Sequence, residues 1–187
     1  MEHIKNVQGV PLRVRDFVVF NRVEVRGEVI INNSNFANYC NHGKSQRVTS
    51  NGIMSKKVAV KRECELLEFR AFRIMYDACF ERQGAAMAGL VNMGFLPSGR
   101  IATIKLSESD EVLVASIEDI VAQAESARET QPYPTDGLVF KFDDTSIYDR
   151  IGYTDHDAKY NAAFKFRPVH KAETIYRGYH TTVGEKT

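Results

Sequence analysis

The sequence has no tryptophan, only 3 cysteines and 5 prolines among 187 residues, and almost no net charge. Each shortage removes a class of protein. Cys40, Cys64 and Cys79 form an odd set without close spacing, which argues against a disulfide framework and against a four-cysteine zinc site. Free thiols suit a reducing compartment, and Cys64 and Cys79 read as small core hydrophobes. The 5 histidines, at 3, 42, 156, 170 and 180, make no HxH or HxxxH pair, so no metal site is assigned. Lys plus Arg number 25 against 24 Asp plus Glu, a formal charge of +1 without the basic excess of a dedicated nucleic-acid binder. Balanced totals still leave room for a local basic face. No uncharged apolar run approaches the ~18–20 residues of a membrane span. The opening stretch MEHIKNVQGVPL lacks the apolar h-region of a secretory signal. These absences lead to the expectation of a cytoplasmic protein with no membrane partner.

What is present suits a folded domain. The chain is 43% hydrophobic and 10% aromatic, ample for a core, and its length suggests one domain. Residues 1–16 read as an extended leader, with Pro11 disfavouring helix at Val10. Phe17 to Ile31 is dense in β-branched residues. From Val23 it alternates with period two, Val23 and Val25 on one face, Glu24 and Arg26 on the other, until Gly27 interrupts as Gly does at a bulge or a close backbone approach. Asn32 to Asn51, rich in Asn, Ser and Gly, reads as loop with a short helix around Phe36–Tyr39. Cys64 to Met75 reads as a strand. Gln83 to Met93 has helical apolar spacing with Gly94 placed to cap it, and Glu111 to Ala127 is a second helix. After a loop bracketed by Pro132 and Pro134 come two short apolar strands, Gly137–Phe142 and Ala162–Phe166. The order predicts an α+β domain with mainly antiparallel sheets and packed helices.

Both late strands carry a lysine inside an apolar run. Lys141 lies between Phe140 and Phe142, and Lys165 between Phe164 and Phe166. Alternation sets each lysine opposite its aromatic neighbours, so the aromatics are expected in the core and the lysines in a cleft or in water. One such lysine reads most simply as part of a solvated strand face. Two, with Glu28 and Arg26 on a third strand, point to a nucleotide floor, where ammonium groups neutralise phosphate oxygens and a carboxylate accepts from ribose hydroxyls.

The residues also resemble a known family. Val23-Glu24-Val25-Arg26-Gly27-Glu28-Val29 resembles nucleotidyltransferase motif III of the NAD-dependent bacterial DNA ligases. Thr135-Asp136-Gly137-Leu138-Val139-Phe140-Lys141-Phe142 resembles motif IV, and Ala162-Ala163-Phe164-Lys165-Phe166 resembles motif V. Between them, Leu67 to Phe72, Met93-Gly94-Phe95 and Ile151-Gly152-Tyr153-Thr154 resemble the family's landmarks, as Asn6 to Leu12 does ahead of motif III. Arg128 stands eight residues before Asp136, where the family has an arginine. Val183 to Thr187 resembles the start of the family's OB-fold domain.

The resemblance implies a nucleotidyltransferase (ATP-grasp-like) adenylation-domain half: residues 1–187 a partial adenylation domain, with 175–187 beginning an OB-fold connection. It implies NAD as the nucleotide, with Mg2+ arriving alongside it, and nicked double-stranded DNA as a partner. By the same resemblance Glu28 would hold the adenosine ribose, and Lys141 and Lys165 would contact the α-phosphate and offset its developing charge. Asp136 would support the motif IV strand and a magnesium site, and Arg128 would orient the nucleotide or a neighbouring carboxylate. The departure is the nucleophile. The family's adenylated lysine lies in Lys-x-Asp-Gly, but the single Asp-Gly here is Asp136-Gly137, with Pro at 134. The sequence starts downstream of that motif and stops where the OB-fold domain would begin. The expectation is therefore one subunit of a split NAD-dependent DNA ligase, as some phages encode it, working in the bacterial or infected-host cytoplasm. A second subunit would carry the Lys-x-Asp-Gly nucleophile, and this chain would be inactive without it. The alternatives are a degenerate non-catalytic nucleotide- or DNA-binding module, or a piece of a full ligase.

Overall fold

The period-two run after Val23 forms strand β1 (Glu24–Ile31), which pairs antiparallel with β2 (Leu67–Met75). The computed structural model describes residues 3–14, 23–39, 45–58, 60–75, 80–99, 101–106, 109–152, 159–167, 173 and 175–181. The 17–22 part of the expected first strand, Cys40, Cys79, Tyr153-Thr154 and the 183–187 tail lie outside the described residues. Alternation sends Val25, Val29, Ile31, Leu67, Phe69 and Ala71 to one face of the pair, and two core clusters form there. Val7, Ile31, Ile53, Cys64 and Leu67 make the first. Ala71, Ile74, Met87, Leu90 and Met93 make the second. Burying an aliphatic side chain as fully as Leu67 or Leu90 contributes about 1.5–3 kcal/mol.

Helices cover that apolar face. The segment expected to be loop with a short helix around Phe36–Tyr39 holds that helix as α1 (Asn33–Tyr39) and an unexpected second one, α2 (Gln46–Met54). Asn and Ser start helices as readily as they make turns: Asn32 Oδ1 accepts from the Asn35 N–H at 2.7 Å, and Ser45 Oγ from Val48 N–H at 3.3 Å. Ile53 of α2 then reaches the first cluster. Cys64, expected within a strand, instead ends the short helix α3 (Lys61–Cys64), and the strand begins at Leu67. In the leader, a 3-10 turn at Ile4–Asn6 precedes a bridge from Gln8 to Glu68.

The expected helix after Gln83 is α4 (Gln83–Asn92), which sets Met87 and Leu90 against β2. Gly94, at φ +91°, stops it. The Phe95 N–H returns to the Leu90 carbonyl at 3.0 Å and the Gly94 N–H to Val91 at 2.9 Å, a Schellman closure that needs the left-handed residue. The chain then adds β3 (Leu96–Pro97), parallel to β2. The second expected long helix is α5 (Asp110–Ser126), with Asp110 and Glu111 at the positive end of its dipole. None of its residues is buried, and Val112 and Val114 are exposed.

The late strands are β4 (Gly137–Lys141) and β5 (Asn161–Lys165), an antiparallel pair forming a second sheet. Between them α6 (Tyr148–Ile151) brings buried Tyr148 onto buried Tyr160, rings stacked with centroids 3.7 Å apart. The sheet is joined to α4 by a compact junction. The Gln83 N–H donates to the Asp143 carbonyl at 2.7 Å, the Gly84 N–H to Asp143 Oδ1 at 2.9 Å, and the Thr145 N–H to the Glu81 carbonyl at 3.1 Å. Arg82 Nη1 adds an ion pair to Asp143 Oδ2 at 3.1 Å.

The Gly84 N–H, followed by the Arg82 guanidinium, holds the Asp143 carboxyl below its ordinary value. A carboxylate with a lowered folded pKa adds stability above its unfolded pKa of about 4, and that contribution is lost as pH falls through the lowered folded value. Asp143→Asn is therefore expected to lower the melting temperature at neutral pH and to narrow its gap from the parent between pH 4 and pH 2. An equal gap at every pH, in thermal melts across that range, would show that the charge of Asp143 is not what ties the junction.

Candidate functional site

The register of β4 and β5 decides where the two lysines go. Gly137 pairs with Lys165, and Lys141 with Asn161. Directly paired residues share a face, so Gly137, Val139 and Lys141 lie on the same side as Lys165, Ala163 and Asn161. Both lysines thus occupy one face, at opposite ends of the pair, about 14 Å apart along the strand. Gly137 makes this closeness feasible: a Cβ there would lie 1.9 Å from the Phe164 carbonyl oxygen.

At one end of that face a lysine reaches the first sheet. Lys141 Nζ donates to the Phe72 carbonyl at 3.4 Å. Phe72 is the extra residue of a β-bulge, since Arg26 pairs with Arg73 while Gly27 pairs with Ala71. The glycine that interrupts the period-two run therefore marks both of the things expected of it, a bulge and a close approach. A Cβ at Gly27 would come within 2.5 Å of the Arg70 carbonyl and of the Phe69 ring. One residue further along β1, Glu28 stands on the exposed face of the strand, directly across from Arg70. Among the described residues the Glu28 carboxylate makes no hydrogen bond or ion pair. Its neighbour Arg26, by contrast, is paired with Glu24 at 2.8 Å.

Other groups tie the two sheets together. The Asn33 N–H donates to the Pro132 carbonyl at 2.7 Å and its Nδ2 to the Gln131 carbonyl at 3.0 Å. The Tyr133 hydroxyl donates to the Ser98 carbonyl at 3.1 Å, with the Arg70 guanidinium 5.3 Å from its ring centre. Residues 131–133 are thereby strapped to the start of α1, to Ser98 just past β3 and to Arg70 of β2, just ahead of β4. At the far end of the hairpin, Arg128 Nη1 donates to the Arg167 carbonyl at 3.1 Å, and its guanidinium lies 5.6 Å from the Phe166 ring centre. The Phe166 N–H in turn donates to the Asp136 carbonyl at 2.8 Å. Asp136, Lys165 and Arg128 gather at this end, whereas Lys141 lies over the bulge beside the strand of Glu28.

The aromatic expectation needs correcting. Phe166 is buried and Phe140 half-buried, but Phe142 and Phe164 are 44% and 40% exposed. β5 is exposed along its whole length. A two-stranded sheet has two edges and two faces to cover, and the described residues cover only part of them. Sequence reasoning also missed the Phe72 carbonyl and the Glu68–Arg70 pair. Alternation places Glu68 and Arg70 opposite Leu67 and Phe69, but nothing in the sequence names the strand they face.

The arrangement offers two ammonium groups, a guanidinium and an unengaged carboxylate on an open surface, a set suited to a phosphate and a ribose rather than to an apolar ligand. The hollow of about 480 Å³ between residues 103–106 and α5 touches neither lysine nor Glu28. Among the described residues no three His, Cys, Asp or Glu side chains gather to hold a metal ion.

Comparison with known proteins points to one family. A family model described as the NAD-dependent DNA ligase adenylation domain matches residues 1–169. The chain is 26% identical over 191 residues to a DNA ligase of Mycoplasma pneumoniae, covering 98% of this chain and 27% of that protein. It is 30% identical over 192 residues to a DNA ligase of Persephonella marina, covering 88% and 25%. With a DNA ligase of Chlorobaculum tepidum it shares 25% over 196 residues, covering 97% and 28%. The chain thus spans about a quarter of the length of the curated relatives it matches.

Gly137→Ala is expected to break the pairing of β4 with β5. Amide hydrogen exchange should lose protection over 137–141 and 161–166, with β1 and β2 unchanged. Retained protection in the hairpin would mean that the close approach at Gly137 is not required.

Proposed function

The chain belongs to the NAD-dependent DNA ligase adenylation domain family, and from that premise we propose that it is one subunit of a split NAD-dependent DNA ligase. It supplies the nucleotide floor, and a second chain supplies the nucleophilic lysine. The observation that carries this reading is Lys141 reaching the Phe72 carbonyl at the bulge, which sets a cation over the same sheet that presents the unengaged carboxylate of Glu28. At 3.4 Å that contact is long for a hydrogen bond. The absence of Lys-x-Asp-Gly supports a nucleophile from elsewhere. The exposed apolar residues of the hairpin, Val139 and Phe164 among them, support a covering chain.

The chemistry proposed is that of the family, with this chain's groups in the roles the resemblance gives them. The incoming lysine attacks the α-phosphate of NAD and expels nicotinamide mononucleotide. AMP passes to the 5′-phosphate of a DNA nick, and the 3′-hydroxyl displaces it. Glu28 accepts from the adenosine ribose. Lys141 and Lys165 approach the phosphates from the two ends of the hairpin and offset the charge that develops there. Arg128 orients the nucleotide at the Lys165 end, where Asp136 carries the turn into β4. Magnesium, arriving with the nucleotide, would neutralise phosphate charge. Such transfers depend chiefly on positioning and electrostatics, which is what a floor of fixed charges supplies.

Two outcomes test the reading. Incubated alone with labelled NAD and magnesium, the chain is expected to form no covalent adenylate. With a second chain bearing Lys-x-Asp-Gly, label should appear on that second chain. A labelled band at 21.2 kDa from this chain alone would contradict the division of labour. No label in any pairing, with nucleotide still bound, would favour a non-catalytic binding module.

In the reconstituted pair, Lys141→Ala and Lys165→Ala are each expected to slow adenylation by about 10²–10³-fold, the usual cost of one preorganised charge contact. Assembly should be unaffected, because Lys165 is exposed and Lys141 half-exposed. Full adenylation with normal assembly, in single-turnover assays, would make the lysines part of an ordinary solvated face.

A further inference from the structure

Glu28 and Arg70 are direct cross-strand partners, with Cβ atoms about 4.5–5.5 Å apart, the position at which opposite charges ordinarily pair. They do not pair here. Arg70 Nη2 donates instead to Glu68 Oε2, two residues back on its own strand and face. Nη1 reaches the Pro97 carbonyl at 3.5 Å, and Nε is buried with no partner. The guanidinium is thus incompletely satisfied and would gain from a second carboxylate. Glu68 is fixed more firmly. It is buried, and its Oε1 accepts from Asn32 Nδ2 at 2.7 Å. Asn32 is itself anchored as the cap of α1, its Oδ1 accepting the Asn35 N–H at 2.7 Å.

We propose that Glu68, held by Asn32, is a positioning residue that keeps Arg70 off Glu28 and so reserves the Glu28 carboxylate for the ribose hydroxyls of an adenosine nucleotide. The inference rests on Glu28 being the ribose-holding group. An arginine fork that closed on Glu28 would occupy both of its oxygens and leave them poor acceptors for a sugar. The Glu68–Arg70 pair has side chains only 10% and 21% exposed, so solvent screens it less than a surface pair, and its grip is strong enough to decide between the two carboxylates. The Tyr133 ring beneath the guanidinium adds to that grip.

The test titrates the full chain by calorimetry with AMP and with 2′,3′-dideoxy-AMP, which lacks both ribose hydroxyls. The parent is expected to bind AMP about tenfold more tightly, the usual effect of hydrogen bonds to a charged group. Glu68→Gln keeps an oxygen for Asn32 but presents an amide to Arg70, and releases it. AMP should then bind no better than the dideoxy nucleotide, whose affinity stays at the parent level. Adding Arg70→Ala to Glu68→Gln should restore the preference, a rescue that neither misfolding nor a purely structural role would give. Asn32→Ala loosens Glu68 without removing the charge pair and should lower the preference in the same direction. It serves as the readout if Glu68→Gln melts below the assay temperature. A Glu68→Gln chain that keeps the preference, or a double variant that fails to regain it, overturns the inference while leaving Glu28 as the ribose group. A parent chain that binds both nucleotides equally overturns the role of Glu28 itself, and one that binds neither overturns the nucleotide floor.

Discussion

Gly27 and Phe72 meet where the β1–β2 ladder gains one residue, and the geometry of the candidate site depends on that point. With no Cβ at Gly27, the Arg70 carbonyl and the Phe69 ring close onto the strand to a distance that any side chain would block. The extra residue on the partner strand, Phe72, offers its carbonyl to Lys141 of the second sheet. A bulge also bends and twists the strand that carries it. One backbone irregularity therefore sets the first sheet's curvature beside Glu28 and gives the hairpin a point of attachment. The strap at residues 131–133 and the Asp143 junction secure the same hairpin elsewhere, from Asn33, Ser98 and the start of α4.

The charged groups divide into two kinds. Glu24, Arg26, Glu68 and Arg70 neutralise one another within the first sheet. So do Lys56 and Glu63 at the edge of the first core cluster. The Lys56 ammonium, with the Tyr39 hydroxyl, holds the Glu63 carboxyl below its ordinary value, and the same ion pair raises the Lys56 pKa. These pairs knit the scaffold. Glu28 stands outside them, and Lys165 is exposed at the end of an exposed strand. A carboxylate left uncommitted across from an arginine that another carboxylate holds is available to a ligand.

Much of this was legible in the sequence, for reasons specific to each element. Alternation and short apolar runs placed β1, β2, β4 and β5 to within a few residues over the described part of the chain, while the two-residue β3 went unforeseen. Gly27 announced the bulge, because a strand interior has little other use for glycine. Gly94 announced the end of α4. In the Asn- and Ser-rich stretch the helix at Phe36–Tyr39 was legible, but α2 was misread as loop because the same short polar side chains that make turns also cap helices, and only the residues that follow decide which. The strand was begun too early at Cys64 because a three-residue apolar pattern cannot separate the last turn of a helix from the first residues of a strand. The aromatic face of the hairpin was misjudged for a different reason: alternation says which residues share a face, but not whether anything covers it. The Lys141–Phe72 contact and the Arg70–Glu68–Asn32 chain join residues that are far apart in sequence or face a strand it does not identify, so no local pattern could have shown them.

The central claim is that Glu28, Lys141, Lys165 and Arg128 form one nucleotide-holding surface on this chain. Its most direct test is to titrate AMP into the isotopically labelled chain and follow backbone amide and lysine side-chain resonances by NMR. The account predicts saturable shifts concentrated at residues 27–28, 71–73, 137–141 and 163–167 and at the two lysine ammonium groups. Shifts confined to the hollow beside α5, or no saturable shift at all, would contradict it.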